Sequence, residues 1–285
     1  MELRTIRIDA DKLPDSWMLP GNPELRLLPL GDIQLGDDTD AERLNRYIKW
    51  AVRIDGRVIG MGDYTDFESP SGRVRSAIKK AQAYDTEDRV MDKAGRYETE
   101  EAYERLKPLQ GRFYGLIRGH HWCQFGGDQG DSVSMLAKML ETENVGDCAM
   151  FELDFRRGSK SLKAHVWAHH GTGSGMVSTS ALTRLEHITK TFSANVYLMG
   201  HQSKKGVSAI PWIRQEGGRT VGTNRYIVAT GSFMEGYRVG SADPWGNPRG
   251  TYVEQKMLTP VALGAPLVMV RPMFDEGRID INVCV

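Results

Sequence analysis

Five times along this sequence a short apolar run stops at a small cluster that holds aspartate or histidine: Gly31-Asp32, Gly62-Asp63, Gly119-His120-His121, His169-His170-Gly171 and Gly200-His201. Five of the seven histidines fall in these clusters, and only His165 and His187 lie outside them. Carboxylate and imidazole together suit borderline divalent ions such as Zn, Mn, Fe or Co, because carboxylate oxygen favours the harder ions and imidazole nitrogen the softer. Carboxylates gathered without a cation repel and raise one another's pKa. A divalent ion relieves that conflict, acidifies a bound water and polarises a phosphoryl oxygen. Strand ends also attract Gly, Asp and His as turn and cap residues, so any single cluster has a plain structural reading. Five in succession do not.

The elements that must position these residues are read from periodicity. Leu25–Leu30 is a short apolar strand, although Pro29 has no N–H to give to a ladder. Thr39-Asp40-Ala41-Glu42 has the pattern of a capping box, and Leu44, Tyr47, Ile48 and Val52 then recur at helical spacing up to Gly56. A second strand at 57–61 stops at Gly62-Asp63. Strand, helix and strand in about forty residues make a right-handed βαβ unit. Its parallel strands put Asp32 and Asp63 beyond one C-terminal sheet edge, where open α/β folds keep their sites. Further strands are expected at 112–117, 151–155, 162–168 and 195–199, with helices at about 132–141 and 182–192. Residues 67–110 are rich in charge, with helical stretches around 73–83 and 97–107, and read as a helical insertion that leaves the sheet and packs over it. From about 225 the chain reads as strands and turns, a C-terminal extension of one large domain spanning 1–285.

In order and in context, Gly31-Asp32-Ile33-Gln34, Gly62-Asp63-Tyr64-Thr65-Asp66, Gly119-His120-His121, His169-His170-Gly171 and Gly200-His201-Gln202-Ser203 resemble the motifs of the calcineurin-like metallophosphoesterases: D-x-H, G-D-x-x-D, G-N-H-(D/E), H and G-H-x-H. The likeness covers about residues 25–203. It implies a four-layer αββα sandwich of two mixed sheets with two metal ions at the sheet edges. Asp63 would bridge the ions and Asp32 would bind the first. His120, standing where the family has Asn, would bind the second ion together with His201 and one of His169 and His170. His169 is the first choice of that pair, whereas alignment through Gly171 favours His170. His121 would protonate the leaving oxygen or steady the phosphate. Gln34 and Ser203 stand where the family has histidines, and in the family both serve the first ion, which here would keep Asp32, the bridging Asp63, the Gln34 amide oxygen and at best the Ser203 hydroxyl. The resemblance therefore implies one firm metal site and a second that is weak or empty and suited to Mn or Mg. It implies hydrolysis of phosphoesters by metal-activated water, as a phosphodiesterase or nuclease; the alternative is a degenerate protein that binds phosphate esters or nucleic acid without turnover.

Smaller signals are open to two readings each. Gly171-Thr172-Gly173-Ser174-Gly175 lies between a strand and a helix, but no acidic residue ends the next strand, so a dinucleotide loop is rejected in favour of close backbone approach to the site or a simple turn. Lys204, Lys205, Trp212, Arg214 and Arg219 read as a basic loop after His201 that could follow a polynucleotide backbone, with Trp212 as a stacking face, or be merely a solvated loop. Arg112 and Arg118 flank the third cluster and would either meet substrate phosphate or pair within the fold. Cys123 beside His121 does not by itself make a nucleophile pair, and Cys148 and Cys284, beside apolar strand residues, are expected to be buried.

Composition bounds the rest. The chain has 285 residues, 37 Lys+Arg against 37 Asp+Glu and a formal net charge of zero, which removes any global pull towards nucleic acid or acidic membranes. The most apolar run, 257–270, is broken by Pro260, Gly264 and Pro266, so no membrane span is expected. Three scattered cysteines and no signal-like N-terminus fit a soluble protein of the cytoplasm. Oligomeric state is not legible.

Overall fold

The computed structural model describes residues 1–285 except 37, 67–84, 127–128, 174–176, 178, 217, 244 and 261. Its strands are β1 (Glu2–Asp9), β2 (Leu25–Leu30), β3 (Arg57–Gly60), β4 (Phe113–Leu116), β5 (Cys148–Arg157), β6 (Lys160–His169), β7 (Val196–Met199), β8 (Lys205–Glu216), β9 (Arg219–Thr230), β10 (Leu267–Met273) and β11 (Arg278–Cys284). The helices are α1 (Ala41–Arg53), α2 (Asp85–Leu106), α3 (Ser132–Met139), α4 (Ser180–Ile188) and the single turn α5 (Tyr252–Gln255).

Two mixed sheets form, one ordered β1-β5-β6-β7-β9-β8 and the other β11-β10-β2-β3-β4. Their facing sides make the main core. Phe151, Leu153, Val166, Leu198 and Val228 from the first sheet meet Leu27, Ile59, Val268 and Val270 from the second. The outer side of the second sheet is covered by α1, α2 and α3 through Leu44, Ile48, Ala102, Leu106 and Leu136. The outer side of the first is covered by α4 through Ala181 and Leu185. This is the four-layer αββα sandwich, with helix on sheet on sheet on helix, because each sheet has two apolar faces and each helix one apolar stripe.

Within the second sheet, β2, β3 and β4 are parallel neighbours. Within the first, β6, β7 and β9 are parallel neighbours. Their C-terminal ends lie together at one rim of the sandwich. Pro29 is accommodated because β10 pairs with β2 only over Leu25 to Leu27, so the missing N–H falls where no partner strand runs.

Several local expectations are corrected. The cap of α1 is Asp40, whose side chain accepts from Arg43 N, and not Thr39. The Thr39 hydroxyl instead accepts from Gly36 N and donates to Gln34 O, closing the loop that carries Gln34. The helix expected at 97–107 is the end of α2, and it belongs to the outer helical layer through Ala102 and Leu106. The stretch at 73–83 lies outside the described residues. The basic stretch after His201 is no loop but the long antiparallel hairpin of β8 and β9 at a sheet edge. Cys284 is exposed and Cys148 only half-buried, since β11 and the entry to β5 lie at the margins of their sheets. The first strand, β1, was not foreseen: only Ile6 and Ile8 face the core along an edge strand whose other residues are polar or exposed. No described helix is long and apolar enough to cross a membrane.

Candidate metal centre

Each strand end at the rim delivers one group inward. Asp32 follows β2, Asp63 follows β3, His120 and His121 follow β4, His170 follows β6 and His201 follows β7. One ligand atom from each of Asp63, His120, His170 and His201 lies within 4.8 Å of the others. Hydrogen bonds between the sheets fix this convergence. Asp32 Oδ2 accepts from His201 N at 2.9 Å. Asp63 Oδ1 accepts from His120 N at 2.6 Å and His121 N at 2.9 Å. His170 Nδ1 lies 2.8 Å from Met61 O, so that nitrogen carries a proton and Nε2 is the atom turned to Asp63 and the cluster.

The residues fit a divalent ion. His170 Nε2 lies 3.0 Å from Asp63 Oδ2, both are buried, and the two are not aligned as a hydrogen bond. Two ligands on one ion at bonds of about 2.0–2.2 Å stand roughly 3 Å apart. Asp32 Oδ1 and Gln34 Oε1 are likewise buried without partners. His120 Nδ1 and His201 Nδ1 lie 3.0 Å apart. Such orphaned acceptors cost free energy unless a cation or water meets them.

The electrostatics agree. Burial pushes the Asp32 carboxyl up to about 7, and the charge of Asp63 adds to the rise against the opposing pull of His170. Burial also penalises the charge on Asp63, yet the His170 ring beside it and the charge and backbone N–H of His121 hold its carboxyl well below the usual range. Burial works against a charge on His170, but the two carboxylates and the Met61 carbonyl outweigh it and push the ring up to about 9. Burial and the neighbouring His170 and His120 push His201 down to about 4. Burial lowers His120 too. The two carboxylates thus favour positive charge at this position, and a divalent ion bound at Nε2 would supply it in place of a proton.

Backbone strain marks the same rim. Among the described residues, Asp32, Gln34, Asp63, His201 and Ser203 all have positive φ, between 44° and 66°. Non-glycine residues rarely adopt this region, and it persists where the surrounding contacts over-determine it. Glycine is needed beside them for close approach. A Cβ on Gly200 would lie 2.6 Å from Asp32 Oδ2, and one on Gly119 would overlap Asp63 Oδ1 and Asp63 N. Gly119→Ala is therefore expected to weaken metal retention about 10- to 100-fold, the range for losing a group that orients a ligand. Metal analysis after dialysis, beside an unchanged circular dichroism spectrum, measures this.

His170, not His169, joins the cluster. His169 accepts from Gly171 N through Nδ1 and stacks on Trp167, on the α4 side of the sheet. The period of two along β6 carries the reason: Ala164, Val166 and Ala168 face the core between the sheets, and His170 continues that parity. His121 stands beside the four-atom cluster with Nδ1 3.3 Å from Asp66 Oδ1, and that carboxylate, through a hydrogen bond, raises the ring's pKa against the effect of burial. Gln34 donates its N–H to Asp63 O at 2.9 Å, so its side chain enters beside the cluster.

Arg118 is committed within the fold, bidentate to Asp147 at 2.8 and 3.0 Å and lying over Trp122. Arg112 pairs with Asp55 at 2.6 Å. Trp212 has one face covered by Arg225, whose guanidinium lies 3.6 Å from the ring centroid. Lys204 borders the cleft next to the cluster and donates to Thr259 Oγ1. Of the glycine loop, Gly173 borders that cleft, and Ser174 and Gly175 lie outside the described residues.

Two groups escaped the reading of the sequence. Ser232 Oγ and Phe233 N both donate to Asp32 O, at 2.9 and 3.0 Å, and brace the first carboxylate from the end of β9. The signal was present in Tyr226 to Gly231, another apolar run closed by glycine, but without Asp or His to draw notice. The far wall of the cleft, Met234, Tyr252, Val253 and Leu258, carries no ligand-type side chain and has no sequence signal.

No family model and no curated protein matches the chain. Among solved structures it is similar to a predicted phosphoesterase from Streptococcus pneumoniae TIGR4, at 12% identity and a TM-score of 0.32, over 87% of this chain and 83% of that one. It is similar to the metallophosphoesterase from Sphaerobacter thermophilus at 13% identity and a TM-score of 0.33, over 92% and 89% of the two chains. For Vps29 from Chaetomium thermophilum the values are 10%, 0.32, 91% and 96%.

Proposed function

We propose that this chain is a metal-dependent phosphoesterase. The observation that supports the reading is the convergence of Asp63, His120, His170 and His201 within 4.8 Å, with the His170 tautomer set by Met61 O. A divalent ion held there supplies positive charge to a phosphoryl oxygen and acidifies water at neutral pH. Asp63, His120, His170 and His201 would hold it. His121, whose pKa the Asp66 hydrogen bond raises, is placed to give a proton to the leaving oxygen. Lys204 and the Gln34 amide face the cleft in which the ester lies. In the metal-bound state Asp32 holds the backbone of His201 and so fixes one ligand.

Hydrolysis of bis-p-nitrophenyl phosphate with added Mn tests this reading. Metal-dependent release of p-nitrophenol supports it, and its complete absence in metal-loaded protein overturns it. The second reading, a binding protein without turnover, is favoured by Gln34 and Ser203, neutral groups in the place of two imidazoles. Phosphate-ester binding without hydrolysis would select it.

The donor sets also set stoichiometry. Three imidazoles and one carboxylate make one nitrogen-rich site for a borderline ion. Asp32, Gln34 and Ser203 offer one carboxylate and two neutral oxygens. Elemental analysis of purified, dialysed protein is expected to find one equivalent per chain, with a second taken up only in excess Mn. Two tightly held equivalents would refute it.

A further inference from the structure

The cleft beside the metal cluster is built from two unlike walls. One holds Gln34, Asp66, His121 and His201; the other holds Met234, Tyr252, Val253 and Leu258. A phosphate gains nothing from the apolar wall, so that wall serves the group to which the phosphate is attached. The cleft measures about 170 Å³. That is short of the roughly 300–1,000 Å³ of pockets for drug-sized ligands, and it suits one small ring rather than an extended chain.

The apolar wall is fixed before any ligand arrives. Tyr252 N donates to Asp38 Oδ2 at 2.8 Å and Glu235 N donates to Asp38 O at 2.6 Å, which ties the segment to the loop following Asp32. A capping box between Thr251 and Glu254 sets the turn that carries Tyr252 and buries Val253. Lys204 reaches across to Thr259. Tyr252 remains 49% exposed, and Lys256 Nζ is 5.9 Å from its ring centroid, at the outer limit of a cation–π contact. Its face is available in a way that the face of Trp212 is not.

We propose that Tyr252, with Leu258 and Met234, forms a ring-binding subsite that selects phosphoesters carrying a planar ring close to the phosphate, directly as in an aryl ester or across a sugar as in a nucleotide. The proposal rests on the phosphoesterase reading and deepens it to a substrate class. Stacking of a ring on an aromatic side chain is worth about 1–3 kcal/mol.

The test measures binding and avoids the differing reactivity of leaving groups. Calorimetry of the Mn-loaded protein compares phenylphosphonate with methylphosphonate, ligands that share a head group and differ in the ring. The expected result is phenylphosphonate tighter by on the order of tenfold, within the 1–3 kcal/mol of one stacked ring. Tyr252→Ala should bring the ratio of the two affinities close to one, while Trp245→Ala, an exposed change on the same segment, leaves the ratio as it is. Because both ligands are measured on each protein, a partly unfolded variant lowers both signals without altering the ratio. Equal affinities in the wild type, or a ratio unmoved by Tyr252→Ala, overturn the proposal. Absence of binding by either phosphonate, with no hydrolysis of bis-p-nitrophenyl phosphate, would instead refute the parent reading. A nucleoside monophosphate and a short single-stranded oligonucleotide serve as further arms. Tighter binding of the monophosphate that Tyr252→Ala abolishes supports the ring subsite, whereas tighter, steeply salt-dependent binding of the oligonucleotide that Tyr252→Ala leaves unchanged assigns the affinity to backbone phosphates and counts against it.

Discussion

Asp63→Asn is expected to lower metal-dependent hydrolysis at least about 1,000-fold, equivalent to roughly 4 kcal/mol of barrier, and to strip the protein of its tightly held ion. The substitution isolates charge from shape. An amide oxygen at Oδ1 still accepts from His120 N and His121 N, so the backbone after β4 stays in place. The other half of the side chain no longer offers a carboxylate 3.0 Å from His170 Nε2. Without that negative charge three imidazoles face one another, and a divalent ion among them loses its only anionic ligand within the cluster. Elemental analysis and turnover should fall together, with the circular dichroism spectrum unchanged. Retention of one ion with wild-type turnover would mean that the cluster is not the catalytic centre.

His121→Ala separates chemistry from metal binding. The ring lies outside the four-atom cluster, so metal content is expected to match the wild type while kcat falls about 100- to 10,000-fold, the range for losing a positioned proton donor. The loss should be largest for esters with alkoxide leaving groups, which need the proton, and smallest for p-nitrophenolate, which leaves without one. The pH profile supplies a second check. Asp66 raises the pKa of His121, so the protonated form persists to higher pH than for a free imidazole. Activity that needs this proton is present below the ring's pKa and is lost as pH rises through it. Asp66→Asn removes the cause of the rise, and the alkaline limb should move to lower pH with metal content intact. An unchanged limb would show that His121 is not the proton donor.

The reading of the sequence and the structure agree most closely where one local rule suffices. Apolar runs closed by Gly-Asp or Gly-His became strands β2, β3, β4 and β7 ending at the rim, because a buried strand must stop where its chain meets polar groups. The helix after β2 followed from its 3.6-residue spacing, although its cap shifted by one residue when Thr39 was used to close the Gln34 loop. The edge elements were harder to read. Strands β1 and β8 bury little of one face, so their alternation is weak and the basic residues of β8 resembled a solvated loop. The choice between His169 and His170 was legible in the parity of β6.

By itself the sequence determined which side chains arrive at strand ends, and that their chemistry suits a cation, since residue type and strand termination are local properties. Only the tertiary structure decided that β6 and β7 of one sheet open on the same rim as β2, β3 and β4 of the other, bringing Asp63 to His170 across 107 residues of chain. It alone placed Met234, Tyr252 and Leu258 in one cleft with His121 and His201 and turned Arg118 to Asp147 rather than to the cleft. The packing of two sheets face to face and the pairing of side chains over long separations are set by the whole core, and no stretch of neighbouring residues contains them.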